Sequence, residues 1–454
     1  MSERKRIYLC LAHMSEAGLE QKYIKEAFDT NWVVPLGPNV NGFEKDLEDF
    51  VNANDNADLN LNKRVVALSS GTAAVHLALI ACGVGPGDEV LVQSFTFCAS
   101  SHPITYLGAT PVFIDSEKDT WNMDPELLEE AIKDRIAKTG RKPKAIVPVA
   151  LYGMPYQIDR IMEIANRYEI PVIEDAAEGF GSKYNGQVLG TFGKYGVLSF
   201  NGNKMITTSG GGALITEDED HWREIMMYAT QYRESYPYYQ HEKIGYNYRM
   251  SNICAGIGRG QMTVVDQHIQ HHRHVQKLYE ELLANVPGVK VHCQPDVRCK
   301  MADGREVPVF DSNYWLCTIT IDPDLKIKGQ ENAYKTIVTG AVGGAAGVIH
   351  AASSAITDCQ PNDNVEALRV ALDKAQIEAR PVWKPMHKQP CYCRGKMEEV
   401  RCKNYSVVTS ETSVAYVNGV SEAFFKIGMC LPAGPYVTDD DVKYIVECVK
   451  AAIV

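Results

Sequence analysis

The sequence predicts an α/β protein whose large domain has a mostly parallel central sheet flanked by helices. Apolar runs of strand length alternate with helical patterns from Val65 to about Thr216, which is typical of repeated βα units. A long helical pattern, Cys254 to Leu283, then joins this domain to a smaller α+β domain. We place the large domain with an N-terminal arm at 1–265 and the small domain at 266–454, since 454 residues are enough for both.

The predicted strands are short apolar runs, as expected for strands that are buried on both faces. In chain order they are Val65–Leu68, Val90–Val92, Pro111–Ile114, Ala145–Val149, Pro171–Ile173, Val197–Phe200 and Ala213–Ile215. Helices are predicted between them, for example at Pro125–Ile136 and Gln157–Tyr168.

Two residues with ionisable side chains, an aspartate and a lysine, lie at the ends of predicted strands. Asp175 ends the run V-I-E-D, and Lys204 ends the run S-F-N-G-N-K. Ligands of open α/β sheets bind at the carboxyl ends of the strands. A lysine amine can condense with the aldehyde of pyridoxal phosphate (PLP), and an aspartate can keep the pyridine nitrogen protonated. The pair predicts a PLP site, whereas each residue alone would be read as a surface lysine or a helix cap.

A glycine turn follows the first predicted strand. The run S-S-G-T-A-A (Ser69 to Ala74) opens an apolar helical pattern. The first N–H groups of a helix and its dipole attract anions, so Gly71 and Thr72 are candidates to bind the cofactor phosphate, together with the Ser199 hydroxyl. A simple capped helix is the alternative for this motif taken alone.

Six motifs in this order give the chain a resemblance to a known family. They are S-S-G-T-A-A-V-H-L-A-L, G-V-G-P-G-D-E-V, E-D-A-A-E-G-F-G-S, S-F-N-G-N-K, G-Y-N-Y-R-M-S and A-R-P-V-W-K-P-M-H. The chain resembles the sugar aminotransferases of the DegT/DnrJ/EryC1/StrS family, which are PLP-dependent enzymes of fold type I. The resemblance runs from about Gly37 to Met262 and resumes from about Ile377. It is greatest to the subgroup that aminates C4 of nucleotide-linked 4-keto-6-deoxy sugars, as in bacillosamine-type pathways.

The resemblance implies roles for the cofactor-binding residues. Lys204 would form the Schiff base with PLP and then carry the proton between cofactor and sugar carbon, while Asp175 would pair with the pyridine nitrogen. Phe97 would stack on the pyridine face, unless it is an ordinary core residue. Glu178 would lie near the phenolic oxygen, where it needs a shared proton. Gly71, Thr72 and Ser199 would hold the phosphate.

The resemblance also implies a shared site and substrate contacts. Asn247 would reach the phosphate of the neighbouring subunit's cofactor, which predicts a homodimer. Trp383, His387 and Arg249 would contact the sugar nucleotide. The alternatives are a structural turn for Asn247 and Arg249 and an anchored loop for Trp383.

Lysine at position 204 favours transamination, because the few relatives with histidine there carry out dehydration. We expect the pyridoxamine form (PMP), made from glutamate, to aminate a UDP-linked 4-keto-6-deoxy sugar for surface polysaccharide or glycan biosynthesis. Three alternatives stay open: a GDP-linked or 3-keto sugar, an amino-acid substrate held by Arg380, and a non-catalytic scaffold.

Composition and charge argue against several other classes of protein. The net charge of −11 and the absence of a Lys/Arg cluster argue against a nucleic-acid surface. The apolar run near the N-terminus is too short for a signal peptide. The 13 cysteines are scattered, and the C-x-C pair of Cys391 and Cys393 has no second cluster to complete a metal site. We therefore expect a cytoplasmic protein without a bound metal and without membrane association.

Two segments of the small domain depart from the family pattern. The polar segment 297–308 is predicted to be an inserted hairpin. The segment 333–361, rich in glycine, alanine and serine, is predicted to be a second insertion.

Overall fold

The computed structural model describes residues 5–55, 59–334 and 359–454. Its helices are α1 (Leu19–Asp29), α2 (Pro38–Asn52), α3 (Gly71–Ala81), α4 (His102–Tyr106), α5 (Pro125–Thr139), α6 (Ile158–Tyr168), α7 (Glu219–Ala229), α8 (Asn252–Met262), α9 (Val265–Leu283), α10 (Asp363–Lys374), α11 (Val420–Ile427) and α12 (Asp439–Ala452). Most of the predicted insertion at 333–361 lies outside the described residues.

The strands number from β1 to β19 in chain order. They are β1 (Arg64–Leu68), β2 (Glu89–Gln93), β3 (Thr110–Ile114), β4 (Ala145–Val147), β5 (Ile173–Asp175), β6 (Lys183–Tyr184), β7 (Gln187–Val188), β8 (Tyr195–Ser199), β9 (Gly212–Thr216), β10 (Val289–Val291), β11 (Arg298–Lys300), β12 (Glu306–Pro308), β13 (Phe310–Asp311), β14 (Cys317–Ile321), β15 (Arg380–Pro381), β16 (Glu398–Arg401), β17 (Ser406–Thr409), β18 (Val414–Val417) and β19 (Gly428–Leu431).

The large sheet has the order β1-β9-β8-β5-β4-β2-β3-β18-β17-β16. Its two halves meet where β4 and β5 are joined by parallel bridges, Ile146 to Val172 and Val149 to Asp175. Only β9 and β17 run against the other strands of this sheet. The prediction of an α/β fold with a mostly parallel central sheet is confirmed.

Both faces of this sheet are covered, which explains the nearly continuous apolar strands. In β1, Val65 and Ala67 pack into one core, whereas Val66 and Leu68 pack into a second core that also takes in α3. Successive side chains of a strand point to opposite faces. The uninterrupted run of β1 therefore reflects two buried faces and no solvent-facing one.

The small domain contains the antiparallel sheet β10-β14-β19-β15, packed with α9, α10 and α12 around a third core. Ile7 of the N-terminal arm joins this core and forms a parallel bridge with Ile377. Within the described ranges, the structure contains no helix long and apolar enough to cross a membrane.

The division into 1–265 and 266–454 needs two corrections. Strands β16–β18 belong to the large sheet, because β18 pairs in parallel with β3. The arm at Ile7 belongs to the small domain. The helical stretch predicted from Cys254 to Leu283 consists of two helices, since α8 ends at Met262 and α9 begins at Val265. The hairpin predicted at 297–308 is confirmed, because β11 and β12 pair antiparallel.

Candidate active site

Asp175 is the last residue of β5 and lies at the carboxyl edge of the large sheet. Its side chain is buried, and Oδ2 accepts a hydrogen bond of 2.6 Å from the Ser100 hydroxyl. Oδ1 accepts a bond of 3.1 Å from the Ala177 N–H. Burial raises the pKa of Asp175, and the Ser100 bond is the largest influence in the opposite direction. Sequence reasoning missed Ser100, since nothing local links it to a residue 75 positions later.

Lys204 lies in the loop that follows β8. Its Nζ is 3.1 Å from Glu178 Oε1 and 4.2 Å from the centre of the Trp315 ring. The Trp315 indole N–H donates a bond of 2.7 Å to the Asn203 carbonyl, which fixes the ring beside the lysine. These two contacts hold the lysine side chain in place at the site. Trp315 comes from the small-domain region and was also missed by sequence reasoning.

Glu178 completes this group of buried polar side chains. Its Oε2 accepts a hydrogen bond of 2.8 Å from the Tyr152 N–H. Burial raises the pKa of Glu178 to about 7, although the charge of Lys204 acts in the opposite direction. A carboxyl group with that pKa can hold or release a proton near neutrality. The shared proton that the sequence interpretation required is therefore chemically available here.

The glycine turn packs tightly beneath the start of α3. Ser70 caps the helix by accepting a 3.0 Å bond from the Ala73 N–H. A Cβ atom on Gly212 would lie 2.3 Å from the Gly71 nitrogen, so β9 can approach the turn only as glycine. A Cβ on Gly71 would lie 3.1 Å from the Ser199 Cβ. Gly71, the adjacent Thr72 and Ser199 are thus brought together as predicted from separate elements.

An aromatic wall lies beside these groups. Phe97 is 53% exposed, whereas Phe95 is fully buried, so Phe97 is not an ordinary core residue. The Phe97 ring is 5.4 Å from the Trp383 ring, which in turn is 5.2 Å from the Tyr152 ring. An exposed aromatic face of this kind is suited to stacking on a planar ligand.

Asn247 and Arg249 flank the end of β1, where the Tyr248 carbonyl accepts a 2.8 Å bond from the Ser69 N–H. Asn247 is exposed. Arg249 is 9% exposed; its guanidinium pairs with Glu44 and donates a 3.0 Å bond to the Ala67 carbonyl. The interpretation of Arg249 as a substrate contact needs correction, because its charge is taken up by a carboxylate of α2.

His387 also needs correction as a predicted substrate contact. It is 4% exposed, with Nδ1 2.6 Å from the Ser94 hydroxyl and Nε2 3.2 Å from Glu422 Oε1. Burial opposes ionisation of Glu422, but the bonds and charges of His387 and Lys388 lower its pKa to about 2. Both ring nitrogens are therefore engaged inside the protein, and His387 ties the segment after β2 to α11.

The residues present fit PLP. The turn at Gly71 opens α3 beside Ser199, so the N–H groups at the positive end of this helix and the Ser199 hydroxyl are donors that fit a phosphate. Burial raises the pKa of Asp175 and so disfavours its charged form. A protonated pyridine nitrogen beside it would supply the opposite charge that stabilises the carboxylate. Lys204 supplies the amine. The fold and these residues define a PLP-dependent transferase of fold type I.

The comparison with known families identifies the chain further. Residues 15–326 match the DegT/DnrJ/EryC1/StrS aminotransferase family, and the chain belongs to that family. EpsN of Bacillus subtilis (strain 168), named for pyridoxal phosphate-dependent aminotransferase activity, is 39% identical over 443 residues, covering 98% of this chain and 95% of EpsN. GDP-perosamine synthase of Caulobacter vibrioides is 32% identical over 454 residues, covering all of both chains.

Solved structures agree with the fold. A DegT DnrJ EryC1 StrS aminotransferase from Brucella abortus is 25% identical, with a TM-score of 0.74, over 96% of this chain and 95% of that chain. The sugar aminotransferase Spr1654 from Streptococcus pneumoniae, in its PMP form, has a TM-score of 0.74 at 22% identity, over 98% of this chain and 97% of its own. The chain is therefore a PLP-dependent sugar aminotransferase.

Proposed function

We propose that this enzyme aminates C4 of a UDP-linked 4-keto-6-deoxy sugar, with glutamate as amino donor, for surface polysaccharide or glycan biosynthesis. The observation that carries the transamination chemistry is the pair of Lys204 Nζ and Glu178 Oε1, 3.1 Å apart and largely shielded from solvent beside the aromatic wall. The choice of a UDP-linked 4-keto sugar rests on the motifs that resemble the C4-aminating subgroup. Bound PLP supplies the carbonyl that carries the amino group and the ring that takes up electrons.

In this proposal, Lys204 and Glu178 carry out the proton transfer together. Lys204 Nζ accepts and returns the proton, as a general base and then as a general acid. Glu178 Oε1 can take up or return a proton at Nζ, because its pKa lies near 7. Phe97 and Trp383 offer apolar faces to the rings of the bound molecules. Asp175 holds a positive charge at the far end of the cofactor site.

The amino-acid alternative is disfavoured by the surroundings of Arg380. Its Nε donates a bond of 3.0 Å to Glu378 Oε1, and its Nη2 contacts the same oxygen. An arginine that recognises a substrate carboxylate needs its planar fork free for two parallel bonds. Glu378 occupies the Nε–Nη2 edge of that fork, so Arg380 is not the free carboxylate clamp that the amino-acid alternative requires.

A GDP-linked sugar is the second candidate. GDP-perosamine synthases of Caulobacter vibrioides and Escherichia coli O157:H7 are 32% and 31% identical to this chain over nearly its full length. A UDP-2-acetamido-2-deoxy-3-oxo-D-glucuronate aminotransferase of Pseudomonas aeruginosa is 36% identical, but over 55% of this chain. On the basis of these relatives, the acceptors to test are GDP-linked and UDP-linked sugars with a keto group at C4 or C3.

We further propose a cytoplasmic homodimer with shared active sites. Asn247 is exposed beside the glycine turn, and the neighbouring segment carries apolar side chains in solvent: Tyr236, Tyr238, Tyr239 and Ile244. A second copy of the chain would cover this surface. All 13 cysteines are free thiols, which fits a reducing compartment.

The test is incubation of the holoenzyme with glutamate and each nucleotide keto sugar, followed by mass spectrometry of the product. Amination of the UDP-linked 4-keto-6-deoxy sugar in preference to the others supports the proposal. Preference for the GDP-linked sugar selects the second candidate, and transfer only to a 2-keto acid contradicts both.

The Lys204→Ala variant tests the catalytic role. We expect it to lose turnover and the visible absorbance of lysine-bound PLP. Lys194 lies just before β8, at the end opposite Lys204, so Lys194→Ala should keep both properties. PLP that borohydride still fixes covalently to Lys204→Ala would contradict the assignment.

A further inference from the structure

Tyr152, which follows β4, has a backbone conformation that is unfavourable for it. Its φ is 55° and its ψ is 18°, and Gly153 follows with a φ of 93°. The left-handed region costs free energy in every residue except glycine. Such a conformation persists when several surrounding contacts fix it. The Tyr152 side chain is itself buried, at 4% exposure.

The first contact is made by the Tyr152 backbone. Its N–H donates the 2.8 Å hydrogen bond to Glu178 Oε2, while Lys204 contacts the other carboxyl oxygen. The left-handed turn aims this N–H at the carboxyl group. Glu178 is therefore oriented toward Lys204 by the backbone of Tyr152.

The second contact is made by the Tyr152 side chain. Its hydroxyl oxygen accepts a hydrogen bond of 2.8 Å from the backbone N–H of Trp383, and the two rings are 5.2 Å apart. Trp383 follows β15 of the small-domain sheet, whereas Tyr152 follows β4 of the large sheet. One residue thus connects the proton-transfer pair to the aromatic wall across the two domains.

The turn is also fixed from its other side. A Cβ atom on Gly153 would lie 1.9 Å from Asn313 Oδ1. Asn313 Nδ2 donates a bond of 2.8 Å to the Glu178 carbonyl. The side chain of Asn313 therefore holds the backbone of Glu178 and leaves no room beside Gly153, which keeps the turn in one conformation.

We propose that Tyr152 is a positioning residue for the transamination: its backbone sets Glu178 against Lys204, and its hydroxyl sets Trp383 over the same site. The alignment of Glu178 with Lys204 and the position of the Trp383 ring then both depend on this one residue. The proposal depends on the PLP-dependent aminotransferase activity and not on which sugar is used.

The hydroxyl is tested with Tyr152→Phe, which keeps the ring and so the turn. Loss of the bond frees the Trp383 backbone and lets its ring shift from the site, and we expect a roughly tenfold fall in kcat/KM for the nucleotide sugar that wild type uses. The fall should vanish in a Trp383→Ala background, because Tyr152 acts through Trp383. Equal falls in both backgrounds would overturn this part of the proposal.

Tyr279→Phe is the matched control. Tyr279 is fully buried in the small domain, and its hydroxyl donates a 3.0 Å bond to the Pro432 carbonyl. This variant should unfold at a lower temperature with kcat/KM unchanged. The same pattern in Tyr152→Phe would mean that Tyr152 has only a structural role, and would overturn the proposal.

The proposed role of the Tyr152 backbone in orienting Glu178 is tested without any sugar. The visible absorbance of the holoenzyme is titrated with pH. Tyr152→Gly accepts a left-handed turn at no cost, so its N–H should stay at Glu178 and the titration should match wild type. Tyr152→Ala also lacks the tyrosine side chain, but its Cβ still disfavours a φ of 55°, so the turn should relax and the titration midpoint should shift. Identical titrations of the glycine and alanine variants would overturn the claim that the turn orients Glu178.

Discussion

Asp175 and Glu178 are buried carboxyl groups three residues apart, and their neighbours give them different chemistry. Burial raises the pKa of both. At Asp175 the largest opposing influence is the neutral Ser100 hydroxyl, whereas at Glu178 it is the charge of Lys204. Asp175 is therefore suited to hold a fixed cation, and Glu178 is suited to exchange a proton with its neighbour.

The raised pKa of Glu178 predicts a pH dependence of stability in the cofactor-free protein. Between about pH 4.5 and 7 the folded chain keeps a proton that the unfolded chain has lost, so the free energy of unfolding falls as pH rises through this window. Glu178→Gln removes that titration. Urea denaturation at several pH values should show a share on the order of 3 kcal/mol disappearing.

A glutamate on the surface provides the control for this measurement. Glu217 is exposed, and Glu217→Gln should keep the pH dependence of wild type. Parallel stability curves for wild type and Glu178→Gln would show that Glu178 does not titrate in the folded chain between these pH values.

At the scale of elements, the proposed phosphate site at the turn of Gly71 depends on how closely β9 approaches that turn. A Cβ on Gly212 would lie 2.3 Å from the Gly71 nitrogen and 2.4 Å from the Ser70 carbonyl carbon. Both are backbone atoms and cannot rotate away. The turn at Gly71, the start of α3 and strand β9 therefore form one packed unit, and this packing requires a glycine at position 212.

Gly212→Ala should disturb this unit. We expect a loss of about 1–3 kcal/mol in unfolding free energy from overpacking, and weaker PLP binding because the turn is displaced. Gly210→Ala is the matched control, since nothing lies within 4 Å of its Cβ position. Fluorescence titration of the cofactor-free variants with PLP measures the binding, and equal affinities for wild type and Gly212→Ala would refute the role of this turn in binding the phosphate.

The strands of the large domain follow from local sequence, but the edges of the sheet do not. Apolar runs locate β1–β5, β8 and β9 within a few residues. Strand β16 is exposed along its whole length and carries little apolar pattern, whereas β18 is apolar and buried but lies far along the chain from the predicted βα units. Their place beside β3 is decided by pairing between residues about 300 positions apart.

At the scale of the molecule, the proposed shared site links cofactor binding to assembly. A ligand that binds only the dimer stabilises the dimer, so the apparent PLP affinity should fall as the protein is diluted. Asn247→Ala should weaken PLP binding without lowering the unfolding temperature of the cofactor-free chain. Sedimentation combined with PLP titration checks both expectations.

Asn404 provides the control for Asn247. It is exposed in the turn between β16 and β17, and Asn404→Ala should leave assembly and PLP affinity unchanged. A fully active monomer would contradict the shared site, and with it the role proposed for Asn247.

The sequence by itself predicted the chemistry of the proposed cofactor site. Lys204, Asp175 and the turn at Gly71 each follow a buried strand, and the ends of parallel strands must meet at one edge of the sheet. Local pattern therefore suffices to bring them together. The family and its PLP dependence follow from the same motifs.

The tertiary structure decided which of the remaining polar residues are free for a ligand. Arg249 and His387 stand in motifs of the site, but Glu44 and Glu422 occupy them. Trp315 stands in no such motif, yet it faces Lys204. The reason is physical: a buried charge must be paired, and its partner comes from a distant part of the chain that local pattern does not specify.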